Sequence, residues 1–218
     1  MGSHKSSPRE PPGMTDGERE PVLVPGGRDV RATLDDPGDA EACVVACPPH
    51  PEMGGRRTDR RLRATSDALG DRGVACLRFD YGPWDEGEGE RTDARNALAW
   101  VRERYDAVGL FGYSFGGAVA LLAAAAESAD GTPPAGVSAL APAARLGAGL
   151  DASAAVGSID CPLQVVYGER DTAADWEPVV ERARETGAEV VEVSADHHFL
   201  GQDAKVGGLV AEFLAVRL

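Results

Sequence analysis

Short, nearly continuous apolar runs alternate along the chain with longer stretches in which apolar residues recur every three or four positions. The runs Ala42–Cys47, Val74–Phe79, Ala107–Phe111, Gly136–Leu140, Leu163–Tyr167 and Glu189–Val193 read as strands. Most have no polar face, the mark of a strand covered on both sides. Val22–Val24 and Arg28–Leu34 precede them as a hairpin, and the alternation Asp29, Val30, Arg31, Ala32, Thr33, Leu34 gives its second arm one wet face. The helical period occupies 60–69, about 90–104, 118–126, 176–186 and 205–218, the last with Val206, Leu209, Val210, Phe213 and Leu214 on one side. Ala141–Gly157 is a loop of small residues with room for one short helix. Strand and helix in alternation call for an α/β fold: a mostly parallel central sheet with helices on both faces. Ligands of such sheets sit beyond the C-terminal ends of the strands. The segment after Leu140 is too short for a large lid, so little or no cap domain is expected over an open site.

Composition narrows this picture. Residues 1–20 are polar and nearly free of apolar side chains, so they are expected to be a disordered leader before a single domain over 21–218. Met1–His4 resembles a tag remnant, with Met14 as the natural start. No apolar run reaches membrane-spanning length and no signal-peptide pattern is visible, so a cytoplasmic protein is expected. The net charge of −14 disfavours nucleic acid and acidic membranes as partners. Lys5 and Lys205 are the only lysines; acidity with so little lysine is a halophilic style, with an ordinary acidic bacterial protein as the plainer alternative. Cys43, Cys47, Cys76 and Cys161 lie in or beside apolar runs without metal-ligand spacing, and read as buried reduced thiols.

The chemistry centres on Gly112-Tyr113-Ser114-Phe115-Gly116, between the apolar run 107–111 and the alanine-rich run 118–126. Strand, tight turn and helix with G-x-S-x-G spacing make a nucleophile elbow. The glycines remove side chains that a sharp reversal would drive together. A serine that merely caps the helix is the plainer reading, and the flanking strand and helix favour the catalytic one.

A serine hydroxyl needs a base, and the base an orienting carboxylate. The elbow predicts the order serine, acid, histidine, each beyond a later strand. Asp171 follows the strand 163–167, and Gly168 and Thr172 frame its turn; Glu169 and Asp175 are its rivals. His197 or His198 follows the strand 189–193. The oxyanion formed by attack on a carbonyl needs two amides. One belongs to Phe115. The other belongs to the loop 48–55, where Pro48, Pro49 and Pro51 have no N–H, leaving His50, with Glu52 or Met53 next. Met53, Tyr81 and Trp84 are candidates to line a substrate pocket, with packing an equal alternative for the two aromatic residues. The histidines and acids form no metal-ligand pattern, and serine acyl transfer requires neither metal nor cofactor.

These motifs together resemble the α/β-hydrolase superfamily, in particular its small lidless members similar to dienelactone hydrolase. The resemblance rests on Cys47-Pro48-Pro49-His50-Pro51-Glu52-Met53-Gly54-Gly55, Leu77–Gly82, Gly87–Asp93, Gly112–Gly117 and Ala195-Asp196-His197-His198-Phe199, and it covers about 25–218. Pro48 stands where that family has a first histidine. Because the family has its histidine directly after aspartate, the resemblance favours His197 over His198. Dienelactone hydrolase itself carries cysteine at the elbow; Ser114 points instead to hydrolysis of small carboxylic esters. A protein of this fold that binds without catalysis, and an acyltransferase, are the alternatives.

Overall fold

The computed structural model describes residues 18–147 and 149–218. The expected leader therefore falls mainly outside the described residues, and its last three positions are not leader: strand β1 (Glu18–Val24) already begins there. It pairs antiparallel with β2 (Val30–Asp36), the expected hairpin. β2 in turn lies antiparallel to β4 (Ala75–Phe79), and every later pairing in the sheet is parallel. With β3 (Ala42–Cys47), β5 (Ala107–Tyr113), β6 (Gly136–Leu140), β7 (Leu163–Gly168) and β8 (Glu189–Val193), the sheet order is β1-β2-β4-β3-β5-β6-β7-β8. The central strands β3 to β7 are almost wholly buried, as their unbroken apolar runs require.

Two apolar layers cover the sheet. Helices α1 (Arg60–Gly70) and α6 (Asp203–Ala215) close one face, around Leu62, Leu69, Phe111, Val206 and Leu214. They touch backbone to backbone: a Cβ on Gly207 would stand 2.7 Å from the carbonyl carbon of Ala64. Helices α2 (Glu88–Arg102), α3 (Phe115–Ala129), the short α4 (Ala152–Ala155) and α5 (Glu177–Thr186) cover the other face, around Leu98, Leu110, Leu121, Val165 and Val179. The alanine-rich α3 is buried along most of its length, and its small side chains let it lie close on the sheet.

The order of the strands positions the site. From β3 the chain steps to β4 on one side, then returns to β5 on the other. Such a switch point opens a crevice at the C-terminal edge of the sheet. Cys47 of β3 is level with Gly112 of β5, so the loop after β3 emerges beside Ser114. Gly168 of β7 is level with Val193 of β8, which sets the loops of Asp171 and His197 next to each other. Several details differ from the sequence reading. Helix α2 begins at Glu88 rather than at about 90, because Glu90 turns back to cap it. The loop after β3 contains a 3-10 turn, Pro51–Met53. Among the described residues no helix is long and apolar enough to cross a membrane.

Candidate active site

Ser114 has φ 57° and ψ −120°, a conformation that side chains rarely adopt, between β5 and the first residue of α3. The surroundings hold it there. Its N–H donates to the carbonyl of Leu140 at 2.8 Å, and its own carbonyl accepts from Gly117 at 2.9 Å. Glycine is obligatory on both sides. A Cβ on Gly112 would stand 2.0 Å from the Gly116 carbonyl oxygen, and one on Gly116 would stand 2.3 Å from that of Cys47.

The three side chains expected to meet do so. Ser114 Oγ lies 2.9 Å from His197 Nε2. On the opposite edge of the ring, His197 Nδ1 lies 2.7 Å from Asp171 Oδ2. The carboxylate can only accept, so Nδ1 carries the proton and donates, leaving Nε2 to accept from the serine hydroxyl. Asp171 is only 5% exposed. Its second oxygen, Oδ1, accepts from the amides of Ala173 at 2.9 Å and Ala174 at 3.2 Å, and both oxygens being engaged locks the rotamer. The indole Nε1 of Trp176 fastens the Asp171 carbonyl at 3.0 Å. Of the rivals, Glu169 pairs with Arg170 and Ser194 at the surface, and His198 is exposed.

The amide of Phe115 opens α3 and makes no hydrogen bond among the described residues. In the loop after β3 the amides of Met53 and Gly55 are spent on the carbonyl of His50, at 3.1 and 3.0 Å, and that of Gly54 on Pro51. With prolines at 48, 49 and 51, this leaves the N–H of His50 as the free donor nearest the strand end. The loop is held from below by Tyr81, whose hydroxyl donates to the Pro48 carbonyl at 3.2 Å. Tyr81 is therefore not at the pocket, where it was a candidate; it lies buried behind Phe115, with ring centroids 5.8 Å apart.

A cavity of about 430 Å³ opens beside Ser114. Met53 and Trp84 both line it, Met53 at its outer rim. Trp84 stacks obliquely on the His50 ring, at 4.7 Å between centroids, and His50 in turn meets Phe115 at 4.8 Å. The far side is built mainly from Ala143, Ala144, Ala173 and Ala174, with Leu146 and Asp175 beside them. Arg145 at the mouth is paired with Asp151 at 2.9 Å.

Several contributors escaped the reading of the sequence. Tyr113 donates through its hydroxyl to the carbonyl of His197 at 3.0 Å. Arg60 and Arg61 donate to the carbonyl of His198 at 3.0 and 3.2 Å. A signal for the arginines was present: two cations in the first turn of α1 oppose the helix dipole, which argues for some other employment. The four alanines carried no signal at all, since small residues in loops are ordinary.

No protein-family model matches the sequence, and no curated protein sequence matches it. Solved structures do. A lidless α/β serine hydrolase from Xanthomonas campestris superposes with a TM-score of 0.76 at 23% identity, covering 97% of this chain and 98% of that one. A dienelactone hydrolase from Anabaena variabilis gives 0.73 at 22% identity over 92% and 98%. Est1E from Butyrivibrio proteoclasticus with ferulic acid bound gives 0.72 at 20% identity over 86% and 95%. With its eight-stranded, mostly parallel sheet, its elbow after β5 and no inserted cap among the described residues, the chain has the α/β-hydrolase fold in its lidless form.

Proposed function

We propose that the protein is a serine hydrolase of small carboxylic esters. The observation that carries this is the relay from Ser114 Oγ to His197 Nε2 at 2.9 Å and from His197 Nδ1 to Asp171 at 2.7 Å, on a strained serine beside a cavity. In this reading Ser114 Oγ attacks the ester carbonyl carbon while His197 Nε2 takes its proton. Asp171 holds the ring in the competent tautomer and stabilises the imidazolium. The amides of Phe115 and His50 receive the oxyanion. Collapse breaks the bond to the alkoxy group, which leaves as the alcohol with the proton from His197. Water, deprotonated by the same nitrogen, then attacks the acyl-enzyme and releases the acid and the serine. No metal or cofactor enters these steps.

The structural neighbours support this reading through the fold they share, several being described as serine hydrolases or esterases. The test is direct. A fluorophosphonate should add covalently at Ser114, and Ser114→Ala should lose both that adduct and turnover of a short-chain p-nitrophenyl ester. Full activity in the variant would remove the proposal.

A further inference from the structure

We infer that the cavity beside Ser114 is a flat slot for one aromatic ring joined to the acyl carbon, so that aryl carboxylic esters are the favoured substrates. This rests on Ser114 being the nucleophile, as proposed above.

The argument begins with sheet order. The loops after β3 and β4, on one side of β5, bring His50 and Trp84 to the cavity. The loops after β6 and β7, on the other side, bring the alanines at 143, 144, 173 and 174. Ser114 lies between a wall of rings and a wall in which four alanines stand beside Arg145, Leu146 and Asp175. The first offers aromatic faces and edges, and the second leaves free the space that larger side chains would fill. A flat group gains stacking or edge contacts on the first wall beyond what its buried area supplies.

The loop that carries Trp84 is anchored. Trp84 is 36% exposed, and it is the backbone on both sides of it that is tied down. The amide of Gly82 donates to Asp93 at 2.9 Å, and the amides of Asp85 and Gly87 donate to Glu90 at 3.0 and 2.8 Å. Arg28 donates to both the Pro83 carbonyl and Asp93. Both carboxylates are wholly buried, so these bonds form out of competition with water.

The wall also shares residues with the oxyanion hole. His50 and Phe115 offer their amides to the carbonyl oxygen and their rings to the wall. A carbonyl seated in the hole therefore sets the group attached to it along the rings.

The experiment compares vinyl benzoate with vinyl cyclohexanecarboxylate, each relative to vinyl acetate, in the wild type and in Trp84→Leu. The benzoate-to-cyclohexanecarboxylate ratio of kcat/KM should fall about threefold to tenfold in the variant, the loss expected for aromatic contacts replaced by an aliphatic side chain. Comparing ratios between enzymes cancels the intrinsic reactivity of the two esters. A ratio unchanged within about twofold overturns the slot. As a second measurement on the wild type alone, benzyl alcohol should inhibit more tightly than cyclohexylmethanol, although the saturated ring is the more apolar; the reverse order also overturns the slot. Turnover of the acetate without either ring ester would overturn the slot and leave the hydrolase standing. Failure of all three esters, together with no fluorophosphonate adduct at Ser114, would overturn both.

Discussion

The hydroxyl of Tyr113 donates a 3.0 Å hydrogen bond to the backbone carbonyl of His197. Tyr113 directly precedes Ser114, so the strand that leads to the serine also grips the loop that carries His197. The guanidinium of Arg61 lies over the Tyr113 ring at 4.2 Å and reaches on to the carbonyl of His198. Two consecutive carbonyls of the histidine loop are thus fastened, one to the elbow and one to the first turn of α1.

Tyr113→Phe keeps the ring under Arg61 and removes only the hydroxyl. Turnover should fall severalfold to about tenfold through kcat, with KM nearly unchanged, because the bond aligns His197 without facing the cavity. Stability should drop by about 1 kcal/mol, the worth of one neutral hydrogen bond. The rate of fluorophosphonate labelling should fall in parallel with kcat. A rise in KM at constant kcat would show that the hydroxyl serves substrate binding instead.

Asp171→Asn preserves shape but can donate where the carboxylate accepted, which favours the wrong tautomer of His197. We expect kcat to fall by about ten-thousandfold with little change in fold, read from ester turnover and far-ultraviolet circular dichroism. A loss of less than tenfold would mean that His197 is oriented chiefly by its backbone.

Gly116→Ala would thrust a methyl group to within 2.3 Å of the Cys47 carbonyl oxygen and 2.4 Å of the Pro48 carbonyl oxygen. Both are backbone atoms that cannot swing aside. The variant should lose at least about 3 kcal/mol or fail to fold, measured by urea unfolding. Wild-type stability would show that the elbow and the loop after β3 can separate.

Stability should fall as the solution becomes alkaline. Burial pushes Cys76 from 9.0 to about 12 and Tyr113 from 10.0 to about 12. Between those limits the unfolded chain gives up protons that the folded chain retains, so the folded state loses ground as pH rises. The stability is present in full below pH 9, and inside its window each group then removes about 1.4 kcal/mol per pH unit. Urea midpoints at pH 8.5 and pH 10.5 should show this, and Cys76→Ala should flatten the slope.

Strands and elbow were legible because their signals are local. Ala42–Cys47 has no polar residue, so it had to be covered on both faces, and the glycines at 112 and 116 declared a turn that tolerates no side chain. The order of serine, acid and histidine followed from chemistry that needs all three. What stayed hidden depends on contacts between distant segments. Nothing near Tyr81 reveals that its hydroxyl braces the Pro48 carbonyl, 33 positions away along the chain, rather than facing a ligand. The alanine wall exists only because β6 and β7 lie on the far side of β5, a property of sheet order.

The loop after β3 spends the amides of Met53, Gly54 and Gly55 within itself, whereas the N–H of His50 is left over and its imidazole lines the cavity. Main chain and side chain at that position therefore answer to different demands. Under the proposed function, replacing the ring would retune which acyl groups are accepted while the amide offered to the oxyanion stays in place, so new substrates could be explored here with the triad left intact.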